Sequence, residues 1–363
     1  MNFIVLYTIL KMNRILFIAD NNHYRLWPGK TYYDLITYMK DKCKKYTITI
    51  FWTDDDENVI DAFIQTFKPK LIIFFITGCI KVECAKFMHI LNSDMPTACA
   101  MLDMFFPYYG KTDYSLPGSL IHIGKHNEII SCYQSLFPDK YITSFSSRFI
   151  NPCRFKDYKL DKKYDILIYG SRTFDYDFKK EQLKPIQNFI KEYEERNNTT
   201  IEDDMKINFY YLRKRLETLI VAQCDKYKVK VLPESGIYNC QITNEYLSML
   251  INQSRITIAC TTLADVMMHK YLEIAASKSV ILGNIPSDYD ELFRGNMIEV
   301  TNFMSNDEII SKIDHALAHP EYMNKMTDTL YNLVHSEHNF DCAVENITNV
   351  IDEICLYNQN KNH

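Results

Sequence analysis

The sequence predicts two doubly wound α/β domains, and three observations carry that prediction. Short apolar runs alternate with stretches of helical period along most of the chain. The runs are apolar at successive positions, the mark of strands covered on both faces in a parallel sheet. The alternation stops once, over residues 145–163, and then restarts. A length of 363 residues exceeds what one core usually serves, which agrees with two domains.

In the first domain, strands are expected at Ile15–Ala19, Tyr46–Phe51, Leu71–Ile76 and Thr97–Leu102, with helices from about Tyr32, near 56–67 and near 80–92 between them. A further strand, helix and strand follow at Leu120–Ile123, 126–136 and Tyr141–Thr143. Residues 145–163 are basic, contain Pro152 and show no period of either kind, so they read as the connector between domains.

The pattern resumes with a strand at Tyr164–Ser171 that ends in Gly-Ser. Helices are expected at 178–196 and 210–226, separated by the polar, acidic segment Asn197–Asp204, which reads as an insertion. A strand at Lys228–Leu232, a helix near 243–252 and a strand at Arg255–Cys260 come next. A helix is then expected over Asp265–Ala276, with Asp265 at its positive start and Glu273 on nearly the same stripe, followed by strands Ser279–Gly283 and Asn296–Val300. Ser305 and Glu308 form a capping box before a helix carrying Ile309, Ile310, Ile313 and Leu317, and helices near 320–334 and 340–357 pack back to close the chain. The expected domains are therefore 12–155 and 160–338, with a last helix at 340–358.

A net charge of −5 excludes nucleic acid as the main partner, because a phosphate backbone demands a concentrated basic surface. Phe3–Leu10 is apolar but too short to span a bilayer, so no transmembrane segment is expected. The eleven cysteines are scattered and never spaced as Cys-x-x-Cys, which predicts reduced thiols and a cytoplasmic protein. His315, His319, His335 and His338 have helical spacing but no supporting cysteine or acid cluster, so no metal is expected. No Gly-x-Gly-x-x-Gly follows the first strand, and phosphate-loop and nucleophile-elbow motifs are absent, which removes common oxidoreductases, NTPases and hydrolases.

The segment Lys270-Tyr-Leu-Glu-Ile-Ala-Ala-Ser-Lys-Ser-Val-Ile-Leu282 resembles the R-x-F-E-x-x-A-x-G-x-x-x-L segment of group 1 glycosyltransferases, and the spore-maturation-protein-like branch resembles it most. Other landmarks fall in order. Met101-Leu-Asp103 resembles a strand-end aspartate, Ile150-Asn-Pro-Cys-Arg-Phe155 the interdomain V-D/N-P-x-x-F, and Tyr164-Asp-Ile-Leu-Ile-Tyr-Gly-Ser171 the Y-D-V-x-F-V-G-S, while Tyr211-Leu-Arg213 is similar to Y-P-L-R. Two departures stand out: Ser277-Lys-Ser279 replaces a small-Gly turn, and Asp265 stands where retaining members usually carry the first of two glutamates.

The resemblance implies a GT-B fold, two Rossmann-like domains facing across a cleft, that moves a sugar from a nucleotide-diphosphate-sugar donor to a hydroxyl of a glycan, protein or small-molecule acceptor. The donor is a substrate, and no further cofactor is implied. Glu273 is expected to accept the 2′- and 3′-hydroxyls of a ribose, as the family's matching glutamate does. Lys270 and Arg172 would neutralise the diphosphate, with Thr261, Thr262 and the helix start adding donors; Gly170, Ser171, Arg213 and Asp265 complete the expected donor side. Asp20, His23 and Asp103 follow strands of the first domain at the carboxyl ends where an acceptor hydroxyl would lie, and they are the candidate catalytic groups, ahead of His126. Two rival readings share the architecture: a sugar-nucleotide epimerase and a non-catalytic scaffold that binds a nucleotide-sugar or a partner protein.

Overall fold

The computed structural model describes residues 13–19, 30–53, 55, 57–76, 85–91, 93–101, 119–123, 130–131, 134–135, 137–145, 148–172, 175–177, 206–208, 210–233, 242–262 and 265–361. The chain divides into two compact units, Met1–Arg148 together with Phe340–His363, and Phe149–Asn339.

The first unit is built on six parallel strands: β1 (Arg14–Ala19), β2 (Thr47–Trp52), β3 (Leu71–Ile76), β4 (Thr97–Met101), β5 (Ser119–Ile123) and β6 (Ile142–Phe145), in the order β2-β1-β3-β4-β5-β6. Position in the sheet explains the residues. Interior strand β1 buries every residue from Ile15 to Ala19, whereas edge strand β2 buries only Ile48 and Phe51. Helix α1 (Lys30–Lys42) lays Leu35, Ile36 and Met39 into this core, α2 (Glu57–Phe67) adds Ile60 and Ile64, and the short α3 (Met88–Leu91) adds Ile90 and Leu91.

The last helix of the chain, Phe340–Lys361, belongs to this first unit. Its buried stripe of Ala343, Ile347, Val350, Ile351 and Ile354 repeats at helical spacing. Polar clasps fix its register: Tyr38 donates to Asp341 at 2.6 Å, Tyr46 and Lys45 both reach Asp352, and Tyr141 donates to Glu353 at 3.0 Å.

In the second unit, β7 (Tyr164–Ile168), β10 (Val229–Val231), β11 (Ser254–Ile258), β12 (Val280–Gly283) and β13 (Ile298–Glu299) form a parallel sheet in the order β10-β7-β11-β12-β13. A separate antiparallel pair joins β8 (Asp175–Asp177) to β9 (Lys206–Asn208). Alternate residues of the main sheet feed two cores. Ile166, Ile168, Ile256, Ile258, Val280 and Leu282 pack with α4 (Tyr211–Val221) and a helix over Asn306–Ala318, while Leu167 and Ile281 pack with α5 (Asn244–Asn252), α6 (Lys270–Ala276), α7 (Asp290–Phe293) and a helix over Pro320–Glu337. In chain order the last three helices are α8, α9 and α10. The capping box at α8 is present, with Ser305 Oγ accepting from Glu308 N at 3.2 Å and Glu308 Oε2 from Ser305 N at 2.6 Å.

The connector is more deeply embedded than its polarity suggests. Phe149, Ile150 and Phe155 are buried, and Ile150 N donates to His338 O at 2.8 Å. The expected helix at 178–196 and the segment 197–204 lie outside the described residues. No helix among the described residues is long and apolar enough to cross a membrane.

Candidate functional site

The helix expected to start at Asp265 starts at Lys270 and runs only to Ala276, so Asp265 and Glu273 do not share a helix. The chain turns back on itself first: Asp265 N donates to Thr262 O at 3.0 Å, and Thr262 N donates to Val266 O at 3.2 Å. Asp265 adopts a left-handed φ of +57°, which a short polar side chain tolerates and a helix interior forbids. Its Oδ2 accepts from Ser287 N at 2.9 Å, and burial raises its pKa. Asp265 thus shapes the loop.

Thr261 and Thr262 are buried in the same loop. Thr262 Oγ1 accepts from Val266 N at 3.3 Å, and Asn284 grips Thr261 twice, its Oδ1 accepting from Thr261 N at 3.1 Å and its Nδ2 donating to Thr261 Oγ1 at 2.6 Å. Tyr271 donates to Asn284 O at 2.6 Å and completes the clasp.

At the carboxyl ends of β10, β7 and β11, adjacent in the sheet, three buried cations satisfy backbone carbonyls that the ladder leaves open. Arg172 donates to Gly170 O at 3.0 Å and Leu232 O at 3.1 Å, and its Nε lies 2.7 Å from Glu217 Oε1. Arg213, from α4, donates to Ser171 O at 2.7 Å and Cys260 O at 3.0 Å, with its guanidinium 4.3 Å from the ring centre of Tyr210. Lys270 donates to Tyr169 O at 2.5 Å and holds its ammonium 4.0 Å from the Tyr169 ring centre. Glu273, one turn further, accepts from Tyr169 Oη at 2.9 Å.

Burial sets the charges of this cluster. Desolvation depresses the Lys270 pKa well below the ordinary lysine value, and the like charge of Arg213 lowers it further while Glu273 opposes. Desolvation raises the Glu273 pKa, against which the Tyr169 hydroxyl and Lys270 act. Glu217 pairs with both Arg172 and Lys214, while Lys270 is the cation that acts on Glu273.

The backbone makes room for this arrangement at two glycines. Gly170 has φ +83°, and a Cβ there would stand 2.8 Å from Lys270 Nζ. A Cβ on Gly283 would stand 1.6 Å from Ala259 O. Ser277 and Ser279, the departures from the small-Gly turn, are absorbed as buried hydroxyl pairs with Ser248 and Thr257, each at 2.8 Å.

The structure therefore brings Gly170, Ser171, Arg172, Arg213, Lys270 and Glu273 together and sets Asp265 in the preceding loop beside Thr261 and Thr262. Asp20, His23, Asp103 and His126 lie outside the described residues. Sequence reasoning missed Tyr169, Asn284 and Glu217. For Tyr169 a signal existed, since it replaces the second valine of Y-D-V-x-F-V-G-S with a phenol at a strand end.

Two parallel sheets in succession, with a final helix returned to the first unit, make this the two-Rossmann-domain GT-B fold. Residues 221–349 match the glycosyl transferase-like family model. Sucrose-phosphate synthase (tll1590) from Thermosynechococcus elongatus is similar, with a TM-score of 0.58 and 8% identity over 94% of this chain and 99% of that one. Alr3699/HepE from Anabaena, solved in complex with UDP-glucose, gives a TM-score of 0.53 and 10% identity over 94% and 99%. A glycosyltransferase from Rickettsia africae ESF-5 gives 0.52 and 10% over 94% and 98%. No curated protein matches the chain in sequence. Family match and fold together are those of a glycosyltransferase enzyme.

Proposed function

We propose that this chain moves a sugar from a nucleotide-diphosphate-sugar to an acceptor hydroxyl, and that the second unit holds the donor. The convergence of Glu273, Lys270 and Arg213 at the carboxyl ends of β7 and β11 carries this reading, because open parallel sheets bind ligands beyond those ends. An ionised Glu273 accepts the vicinal hydroxyls of a ribose. Lys270 and Arg213 supply positive charge where the departing diphosphate gathers negative charge, with Arg172 holding the strand ends in place. The complex of the Anabaena neighbour with UDP-glucose supports a donor of this class.

In the reaction the bond from the sugar C1 to the diphosphate breaks with its electron pair leaving on the nucleoside diphosphate. The acceptor oxygen bonds to C1 and releases its proton, for which Asp20, His23 and Asp103 are the acceptor-side candidates. The reading extends to the spore-maturation-protein-like branch, to catalysis without a metal and to the cytoplasm. The 270–282 segment supports the first of these and the scattered cysteines the last.

The test is incubation with UDP-, GDP- and dTDP-sugars. Slow release of nucleoside diphosphate from one donor is expected, an isomerised donor would point to an epimerase, and no turnover together with no thermal stabilisation by any nucleotide would point to a scaffold.

A further inference from the structure

Tyr169 touches two charged members of the candidate donor site, Glu273 and Lys270. Its hydroxyl donates to Glu273 Oε2 at 2.9 Å, its carbonyl accepts from Lys270 Nζ at 2.5 Å, and its ring lies 4.0 Å beneath the same ammonium. All three side chains are at least nine-tenths buried, with relative exposures of 7%, 6% and 7% for Tyr169, Glu273 and Lys270. The left-handed Gly170 that follows lets the Lys270 ammonium come this close.

We infer that Tyr169 is a positioning residue for nucleoside binding, its hydroxyl occupying one acceptor site of the Glu273 carboxylate and fixing the remaining sites toward a vicinal diol. A carboxylate offers about four lone-pair sites, so one hydrogen bond from a phenol leaves capacity for both ribose hydroxyls. Burial opposes the charged form of Glu273, and a hydroxyl that donates to it favours that form. Tyr169 therefore acts through Glu273 on orientation and on charge. The inference rests on the donor-site reading, with a ribonucleoside diphosphate as the ligand class.

The test is isothermal titration of the full chain with UDP and GDP, each against its 2′-deoxy form, from pH 5 to 8, for wild type, Tyr169→Phe, Glu273→Gln and the double variant, each first shown to be folded by its melting transition. Expected for Tyr169→Phe is a loss of ribonucleotide affinity of roughly tenfold or more, a smaller preference over the 2′-deoxy form, and an acidic limb moved to higher pH. Adding Tyr169→Phe to Glu273→Gln should cost little more, since the residue acts through that carboxylate. Tighter binding by Tyr169→Phe would mean that the phenol blocks the site, and that would overturn the inference, as would unchanged affinity and pH profile. Failure of the wild type to bind any nucleotide would instead overturn the donor-site reading on which it rests.

Discussion

Gly170 lies so close to Lys270 that a Cβ at position 170 would stand 2.8 Å from the lysine Nζ, against a backbone held at φ +83°. Gly170→Ala should therefore destabilise the second unit by about 1–2 kcal/mol from the left-handed backbone alone. It should also push the ammonium away from Tyr169 O. Urea denaturation gives the first effect and nucleotide titration the second.

Arg213 donates to Ser171 O and Cys260 O and so links the ends of β7 and β11. Arg213→Met keeps an unbranched apolar stem but leaves two carbonyls in a buried setting without their donor, a loss of roughly 2–4 kcal/mol. Arg213→Lys should rescue only part of this, because an ammonium lacks the planar fork that reaches both carbonyls. A stability ranking of wild type, Lys and Met by denaturant midpoint checks the order.

Lys278 occupies the glycine position of the family segment and keeps the left-handed backbone at φ +58°. Its ammonium pairs with Asp328 and sits 4.8 Å from the ring centre of Tyr331. Lys278→Ala removes these contacts and keeps the strained backbone, whereas Lys278→Gly removes both. Gly should therefore be more stable than Ala at this position by about 1 kcal/mol, measured by thermal or chemical unfolding of the two variants side by side.

The last helix can be tested as part of the first unit. Ile351 is fully buried in α10, and Ile351→Ala should cost roughly 2–4 kcal/mol. Hydrogen exchange should quicken in β1, β2 and β3 and stay protected in β7, β11 and β12.

Much of this was legible in the chain itself, and the failures have physical causes. Strands β1, β3, β7, β11 and β12 showed as apolar runs because interior parallel strands are buried on both faces, and Ser305 with Glu308 announced α8 because capping is local chemistry. The stretch before α6 misled because Val266 and Met267 bury at 3% and 2% exposure in a loop, so their apolar spacing imitates a helix that Asp265 prevents. The β8–β9 pair was missed since Asp175-Tyr-Asp177 and Lys206-Ile-Asn208 are too short to show a period. Glu273 and Lys270 were found through their motif. Tyr169 was read as one more apolar strand residue, and its hydroxyl contact depends on a partner 104 positions away.

The charge state of Glu273 gives a sign that can be measured. Burial raises its pKa above the ordinary 4.5, so its contribution to stability is present below that value and is lost as pH rises through the folded one. A bound diol favours the ionised form, so binding should release protons near the folded pKa, and affinity should fall as pH falls through it. Titration in buffers of different ionisation enthalpy reads the released protons directly, and Glu273→Gln should abolish them.

The most direct measurement is calorimetric titration of the chain and of Glu273→Ala with UDP, GDP and dTDP at neutral pH. Binding of at least one nucleotide by the wild type, and its loss on Glu273→Ala in a protein that still unfolds cooperatively, is the predicted result. Undiminished nucleotide affinity in Glu273→Ala would contradict the account.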